Sequence, residues 1–235
     1  MENEKQFLIG IDTETSNSLI TAENKLDLSQ SLVYDIGWQV IDIKGHPYKK
    51  RSFVVAEIFL DKELMDSAYF KDKIPQYWED IKNGKRTLKT FMNIWRQFLA
   101  DKKEFNATAV FAHNAYFDWK ALNNTIRLLT GSKFRYFFPR SIELWDTLKM
   151  SRDVFGQIEN YTLFCDENNY KTNHSVPQNR YTAEIIFRYI TGDNNFEESH
   201  TGLEDVEIET KILTYCLESK LEMRKLLFEK RKASA

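Results

Sequence analysis

Apolar residues in this chain run in short continuous blocks near its start and in helix-spaced stripes further on. Phe7, Leu8, Ile9 and Ile11 lead up to Asp12 almost without interruption, which predicts a buried strand over residues 6–13. Residues 16–30 are polar and irregular and read as a long loop. Residues 32–43 and 48–55 are strand-like runs on either side of Lys44-Gly45-His46-Pro47, the pattern of a hairpin. Three strands in succession imply an antiparallel half-sheet. The period then changes. Leu88, Phe91, Met92, Trp95, Phe98 and Leu99 form one apolar stripe at helical spacing. Ala109-Val110-Phe111-Ala112 predicts a short strand, and the helix expected from about Ala115 stacks Leu122, Ile126 and Leu129 on the face that starts at Asp118. Residues 142–145 read as a further strand ending at Asp146, and residues 181–190 as a helix closed by Thr191-Gly192. A last helix starts near Thr201, where Thr201 and Glu204 match a capping box and Leu203, Val206, Leu213 and Leu217 supply an inward stripe. Residues 57–86 and 168–179 read as two more long loops. With no repeat, low-complexity tract or Gly/Ser linker, residues 1–235 read as one domain with its core at about 6–217.

Composition agrees with one sizeable core: 42% of the 235 residues are hydrophobic and 14% aromatic. No stretch is long and apolar enough to span a membrane, and the first residues lack the basic and apolar regions of a signal peptide. A cytoplasmic protein is expected. Cys165 and Cys216 have no Cys or His at ligand spacing, so reduced core cysteines are expected rather than a zinc site. The net charge of −2 does not mark a general nucleic-acid coat. Residues 220–232 carry Lys220, Arg224, Lys225, Lys230, Arg231 and Lys232 against Glu222 and Glu229. We read them as the solvated basic end of the last helix, ahead of a phosphate-binding stripe.

Chemistry enters with the carboxylates. Asp12-Thr13-Glu14 follows a strand of nearly continuous hydrophobics, where an acidic pair is costly unless it holds a metal. We expect the strand to fray here, its bend turning both carboxylates toward one ion. The spacing alone proves little, because it recurs at Asp61/Glu63 and Asp205/Glu207. Asp118 and Asp205 each fall in the first turns of a predicted helix, where capping is the competing explanation. His113 and His200 each precede one of these aspartates by five residues. His113, at a strand end, suits a hydrogen-bonded structural imidazole. His200, in the polar loop Glu197-Glu198-Ser199, suits an exposed, mobile general base. His46 and His174 have no acidic company in the sequence and read as surface residues.

In order, Ile9-Gly10-Ile11-Asp12-Thr13-Glu14-Thr15, Ala112-His113-Asn114-Ala115-Tyr116-Phe117-Asp118 and His200-Thr201-Gly202-Leu203-Glu204-Asp205 resemble the three motifs of the DEDDh branch of the DnaQ-like exonuclease superfamily. Tyr34-Asp35-Ile36-Gly37 and Trp145-Asp146-Thr147-Leu148 are similar to less diagnostic segments of that family. The resemblance implies an α/β, RNase H-like fold: a mixed five-stranded sheet, three antiparallel then two parallel strands, flanked by helices. It implies two divalent cations, Mg²⁺ or Mn²⁺, held by Asp12, Glu14, Asp118 and Asp205, with His200 as general base. It also implies 3′→5′ hydrolysis of a nucleic acid with a free 3′ end, single-stranded DNA ahead of RNA, releasing nucleoside 5′-monophosphates. Thr15, Asn114 and Phe117 would hold the terminal nucleotide. Any proofreading role needs a polymerase partner in trans. An exoribonuclease of the oligoribonuclease kind and a non-catalytic subunit with the same fold are the rival readings.

Overall fold

The computed structural model describes residues 5–17, 19–20 and 26–228. Its main sheet contains β1 (Phe7–Ser16), β2 (Leu32–Asp42), β3 (Pro47–Val55), β4 (Thr87–Lys89), β5 (Ala109–Ala112) and β6 (Glu143–Asp146). Their order across the sheet is β4-β3-β2-β1-β5-β6. β1, β2 and β3 form the antiparallel meander, and β5 and β6 add in parallel on the far side of β1. These are the five strands expected, in the expected sense. β4 is a sixth, parallel to β3 at the edge. Three residues are too few to show a strand period, and its Leu88 is drawn into the neighbouring helical stripe, which in fact begins at Phe91. A separate two-stranded ribbon pairs Leu19–Ile20 with Leu26–Asp27, inside the segment read as the first loop.

Helices cover both faces of the sheet. They are α1 (Ala56–Phe59), α2 (Lys62–Asp66), α3 (Ile74–Lys82), α4 (Phe91–Glu104), α5 (Tyr116–Thr130), α6 (Thr147–Phe155), α7 (Glu159–Glu167), α8 (Ala183–Thr191) and α9 (Gly202–Glu218). On one face Ile9, Ile11, Ile36 and Trp38 pack with Phe98 of α4 and Leu122 and Ile126 of α5. On the other, Leu8, Ile41 and Phe111 pack with Val154, Ile186, Ile212 and Leu213. Cys165 and Cys216 are free and buried in this second layer. No helix among the described residues is long and apolar enough to cross a membrane.

Residues 57–86, expected as loop, hold three helices and a 3₁₀ turn at Lys71–Lys73. α1 and α2 are too short for a repeating stripe, whereas α3 carries Ile74, Tyr77, Trp78 and Ile81 at helical spacing, a stripe the loop reading passed over. Each buries something: Ile58 and Phe59 on α1, Met65 on α2, Tyr77 on α3. Asp61 starts α2 by accepting from Leu64 N at 3.1 Å. The chain's basic end also differs from expectation. α9 stops at Glu218, and residues 220–228 run back as irregular chain to the open edge of β6. There Asp146 N donates to Lys225 O at 2.8 Å and Leu227 N to Leu144 O at 2.8 Å, satisfying edge groups that would otherwise face solvent. Lys220, with φ of 58°, directly follows the α9 C-cap Ser219, but Arg224 and Lys225 are not at a helix terminus, and Lys230, Arg231 and Lys232 lie outside the described residues. His46 does have acidic company: its Nδ1 lies 3.0 Å from Asp42 Oδ2 across the hairpin turn, which the strand reading of Asp42 hid.

Candidate active site and metal centre

β1 does not fray at its acidic pair. It continues to Ser16, with Asp12 opposite Gly37 and Glu14 opposite Asp35, and its register shifts only after Glu14. Residues two apart on a strand share a face, so Asp12 and Glu14 point the same way with no bend required. That face carries α9, whose Val206 sits against Gly10. Thr13, on the opposite face, donates its Oγ1 to Asp118 Oδ1 at 2.9 Å. Asp118 stands in the first turn of α5 and is only 2% exposed. The helices α5 and α9 thus bring Asp118 and Asp205 to the end of β1 from opposite faces of the sheet.

The close approach of α9 has a local cause. A Cβ on Gly37 would lie 2.1 Å from Leu203 N, and one on Gly202 would lie 2.6 Å from Gly37 N. Glycine at both positions lets the helix start rest directly on β2. A buried polar clamp holds it there. Asp35 accepts from Gly202 N at 2.9 Å and from Tyr77 Oη at 2.8 Å. Arg86, 2% exposed, reaches Asp35 at 3.2 Å, Asp80 at 2.9 Å and Glu204 at 2.9 Å. With Glu204 drawn off to Arg86 and Lys85, the expected capping box does not form. Instead Asp205 Oδ2 accepts from Thr201 N at 2.9 Å, and Thr201 Oγ1 donates to Glu204 at 2.9 Å.

A cleft of about 810 Å³ opens at this end of the sheet, with Asp12, Glu14, His200, Asp205 and Glu209 among its lining residues. One ligand atom each from Glu14, His200 and Asp205 lies within 4.8 Å of the others, a spacing at which one ion can be shared. Burial pushes the Asp12 carboxyl well above its usual range, and Asp118, Glu209, Asp205 and Glu14 push it further. Burial likewise raises Glu14, with Asp35 and Asp205 adding to the shift. Asp118 and Asp205 are both pushed up to about 7, chiefly by burial. So dense a set of oxygen donors is poorly stable as bare anions and matches a hard divalent cation.

His200 is half-buried and held in place, not the exposed, mobile imidazole expected. Its ring stacks on Phe70 at 4.4 Å and 14°, and its backbone is left-handed with φ of 48°. Lys73, 5.0 Å from the Phe70 ring, donates to Ser199 O beside it. Burial and the Lys73 charge hold the imidazole below its usual range, so it is neutral near pH 7. His113 also lines the cleft, and both of its ring nitrogens are hydrogen-bonded: Nδ1 meets Thr147 Oγ1 at 3.1 Å and Nε2 meets Tyr181 O at 2.7 Å. Burial lowers it to about 4. Asn114, with φ of 66°, and Phe117 line the cleft, whereas Thr15 is buried beyond the register shift and paired with Val33. His174 belongs to the cleft as well, along with Arg152 and Arg180.

Several of these groups escaped the sequence reading. Glu209 lies one helical turn after Asp205, a spacing that could have flagged it. Phe70 and Lys73 carry no local signal, since they reach His200 from more than 120 residues away.

No protein-family model and no curated protein matches the chain. Solved structures do. A full-length 3′-exonuclease superposes with a TM-score of 0.59 over 95% of this chain and 86% of its own, at 12% identity. Cell-death related nuclease 4 gives 0.54 over 94% and 67%, also at 12% identity. The chain shares the fold of these 3′-exonuclease and nuclease structures. The zinc-bound complex of E. coli ExoI with single-stranded DNA shares that fold, with a TM-score of 0.55 at 12% identity. This chain covers 92% of its own length in that match and spans 41% of the ExoI chain. In this exonuclease fold the strand carrying Asp12 and Glu14 is central, with antiparallel strands on one side and parallel strands on the other.

Proposed function

We propose that the chain is a metal-dependent 3′→5′ exonuclease acting on single-stranded DNA. The observation that supports this most is the convergence of Asp12, Glu14 and Asp205 on one cleft, with the buried Asp118 near Asp12 and His200 beside Glu14 and Asp205. Two divalent cations, Mg²⁺ or Mn²⁺, would be held by these four carboxylates and supply Lewis-acid stabilisation of the attacking and leaving oxygens. His200, neutral and held by its stack on Phe70, accepts the proton of the attacking water. Glu14 and Asp205 flank that proton path. Asn114 and Phe117 form the cleft wall against which the terminal nucleotide rests. Arg152 and Arg180 offer positive charge to the phosphates behind it. The catalytic unit is one domain with its core at about 6–217, and the product is a nucleoside 5′-monophosphate.

The test uses 5′-labelled single-stranded DNA with Mn²⁺ or with EDTA, comparing wild type with Asp12→Ala. A ladder shortening from the 3′ end is expected with wild type and Mn²⁺ alone. Cleavage that persists in EDTA or in Asp12→Ala would remove the metal-dependent reading. A matched RNA oligonucleotide in the same assay separates a deoxyribonuclease from an exoribonuclease.

A further inference from the structure

Glu209 is the acidic group in this cleft that the four-carboxylate assignment leaves without a task. It is 3% exposed, on α9, one turn beyond Asp205 and on the same side of the helix. Its two oxygens are not equivalent. Oε1 accepts from His113 N at 2.9 Å. Oε2 is buried and has no hydrogen-bond partner among the described residues, although the side chain lines the cleft. An unpartnered carboxylate oxygen in a protein interior costs on the order of 1–3 kcal/mol or more, so such atoms are rare. The charged groups that act on Glu209 make this worse, since Asp118, Asp205 and Glu198 are all acidic. Glu209 in turn is one of the acidic groups that raise the Asp12 carboxyl.

Resting on the metal-dependent reading above, we infer that Glu209 supplies a fifth carboxylate to the cation centre through Oε2. The division of labour follows from the geometry. Oε1 fixes the side chain to the turn after β5, and Oε2 is left as a hard oxygen donor on a side chain that lines the cleft with Asp12. A divalent cation gives that oxygen the positive partner the protein does not.

Glu209→Gln separates this role from a structural one. The amide oxygen can still accept from His113 N, so the fold is retained, but the charge is gone. Mn²⁺ binding is measured by calorimetry on the full chain without nucleic acid, for wild type, E209Q and Asp12→Asn, with melting temperatures in EDTA. E209Q is expected to bind Mn²⁺ at least about tenfold more weakly. It should melt in EDTA no lower than wild type, because a repelled buried charge has been removed. Glu209→Met, which also lacks the charge, is expected to show the same loss of Mn²⁺ affinity. Wild-type Mn²⁺ affinity in E209Q, with binding lost in Asp12→Asn, overturns the role of Glu209 alone. Wild-type affinity in both variants overturns the cation centre and this inference with it. A lower melting point of E209Q in EDTA with unchanged Mn²⁺ affinity would assign Glu209 to the fold instead.

Discussion

Gly37→Ala places a single methyl group where β2 meets the start of α9. The added Cβ would lie 2.1 Å from Leu203 N and 2.4 Å from Gly202 C, both backbone atoms that no rotamer change can move aside. Restoring normal contact requires α9 to retreat by roughly 1 Å. The retreat strains the 2.9 Å bond from Gly202 N to Asp35 and the 2.9 Å contact of Arg86 with Glu204. Overpacking of this kind costs about 1–3 kcal/mol, or roughly 3–10 °C in Tm for a chain of this size. The same retreat carries Asp205 and His200 away from β1, and misplacement on the order of 1 Å costs about 10²-fold in rate. Gly84→Ala is the control. Gly84 has φ of 74° and open space around it, so alanine there costs about 1 kcal/mol of backbone strain without touching the site. Melting temperature and hydrolysis of a single-stranded oligonucleotide are measured for both variants. Gly37→Ala should lose stability and rate together, and Gly84→Ala stability alone. A Gly37→Ala protein with wild-type melting point and rate would refute the packing argument.

Other consequences follow from the buried charges. In EDTA, Asp118 and Asp205 titrate at about 7 in the folded chain and near 3.8 when unfolded. The folded state therefore holds extra protons between those values, and stability falls as pH rises through them. His113, lowered to about 4, contributes with the opposite sign, but only below its unfolded value of 6.5. Between pH 6.5 and 8.5 the metal-free protein should thus lose roughly 5 °C or more in Tm, and Mn²⁺ should abolish the loss; a melting point in EDTA that rises over this range contradicts the assignment. Arg86→Ala leaves Asp35 and Asp80 buried without their cation and should cost about 3–5 kcal/mol in urea unfolding; a loss below about 1 kcal/mol would show that the clamp contributes little. Phe70→Ala removes the stack on His200 and should lower the hydrolysis rate roughly tenfold while leaving Mn²⁺ affinity unchanged. An unchanged rate would mean that His200 needs no such support.

Much of the carboxylate cluster is legible in the sequence because each of its members belongs to a local pattern. Asp12 and Glu14 close a continuous apolar strand, and Asp118 and Asp205 each open a helix. What fixes their geometry is not local. Gly37 and Gly202 matter only because β2 and α9 cross, and Arg86 ties together Asp35, Asp80 and Glu204 from three separate segments. The helices α1 and α2 are too short to announce themselves by period, yet the 3₁₀ turn that follows them delivers Lys73 to Ser199 and His200. Asp35 and Asp146 lie in segments that resemble the family, but they are structural. Asp35 anchors α9, while Asp146 caps α6 through Leu148 N at 3.0 Å and accepts from Asn114 N at 3.2 Å.

The central claim is that the acidic cleft is a two-cation centre built around Asp12. Anomalous diffraction from crystals grown with Mn²⁺ and a nucleoside 5′-monophosphate tests it most directly. Two peaks about 4 Å apart are expected, with the Asp12 carboxylate touching both and Glu14, Asp118 and Asp205 completing the set. A single peak away from Asp12, or no peak in this cleft at saturating Mn²⁺, would contradict it.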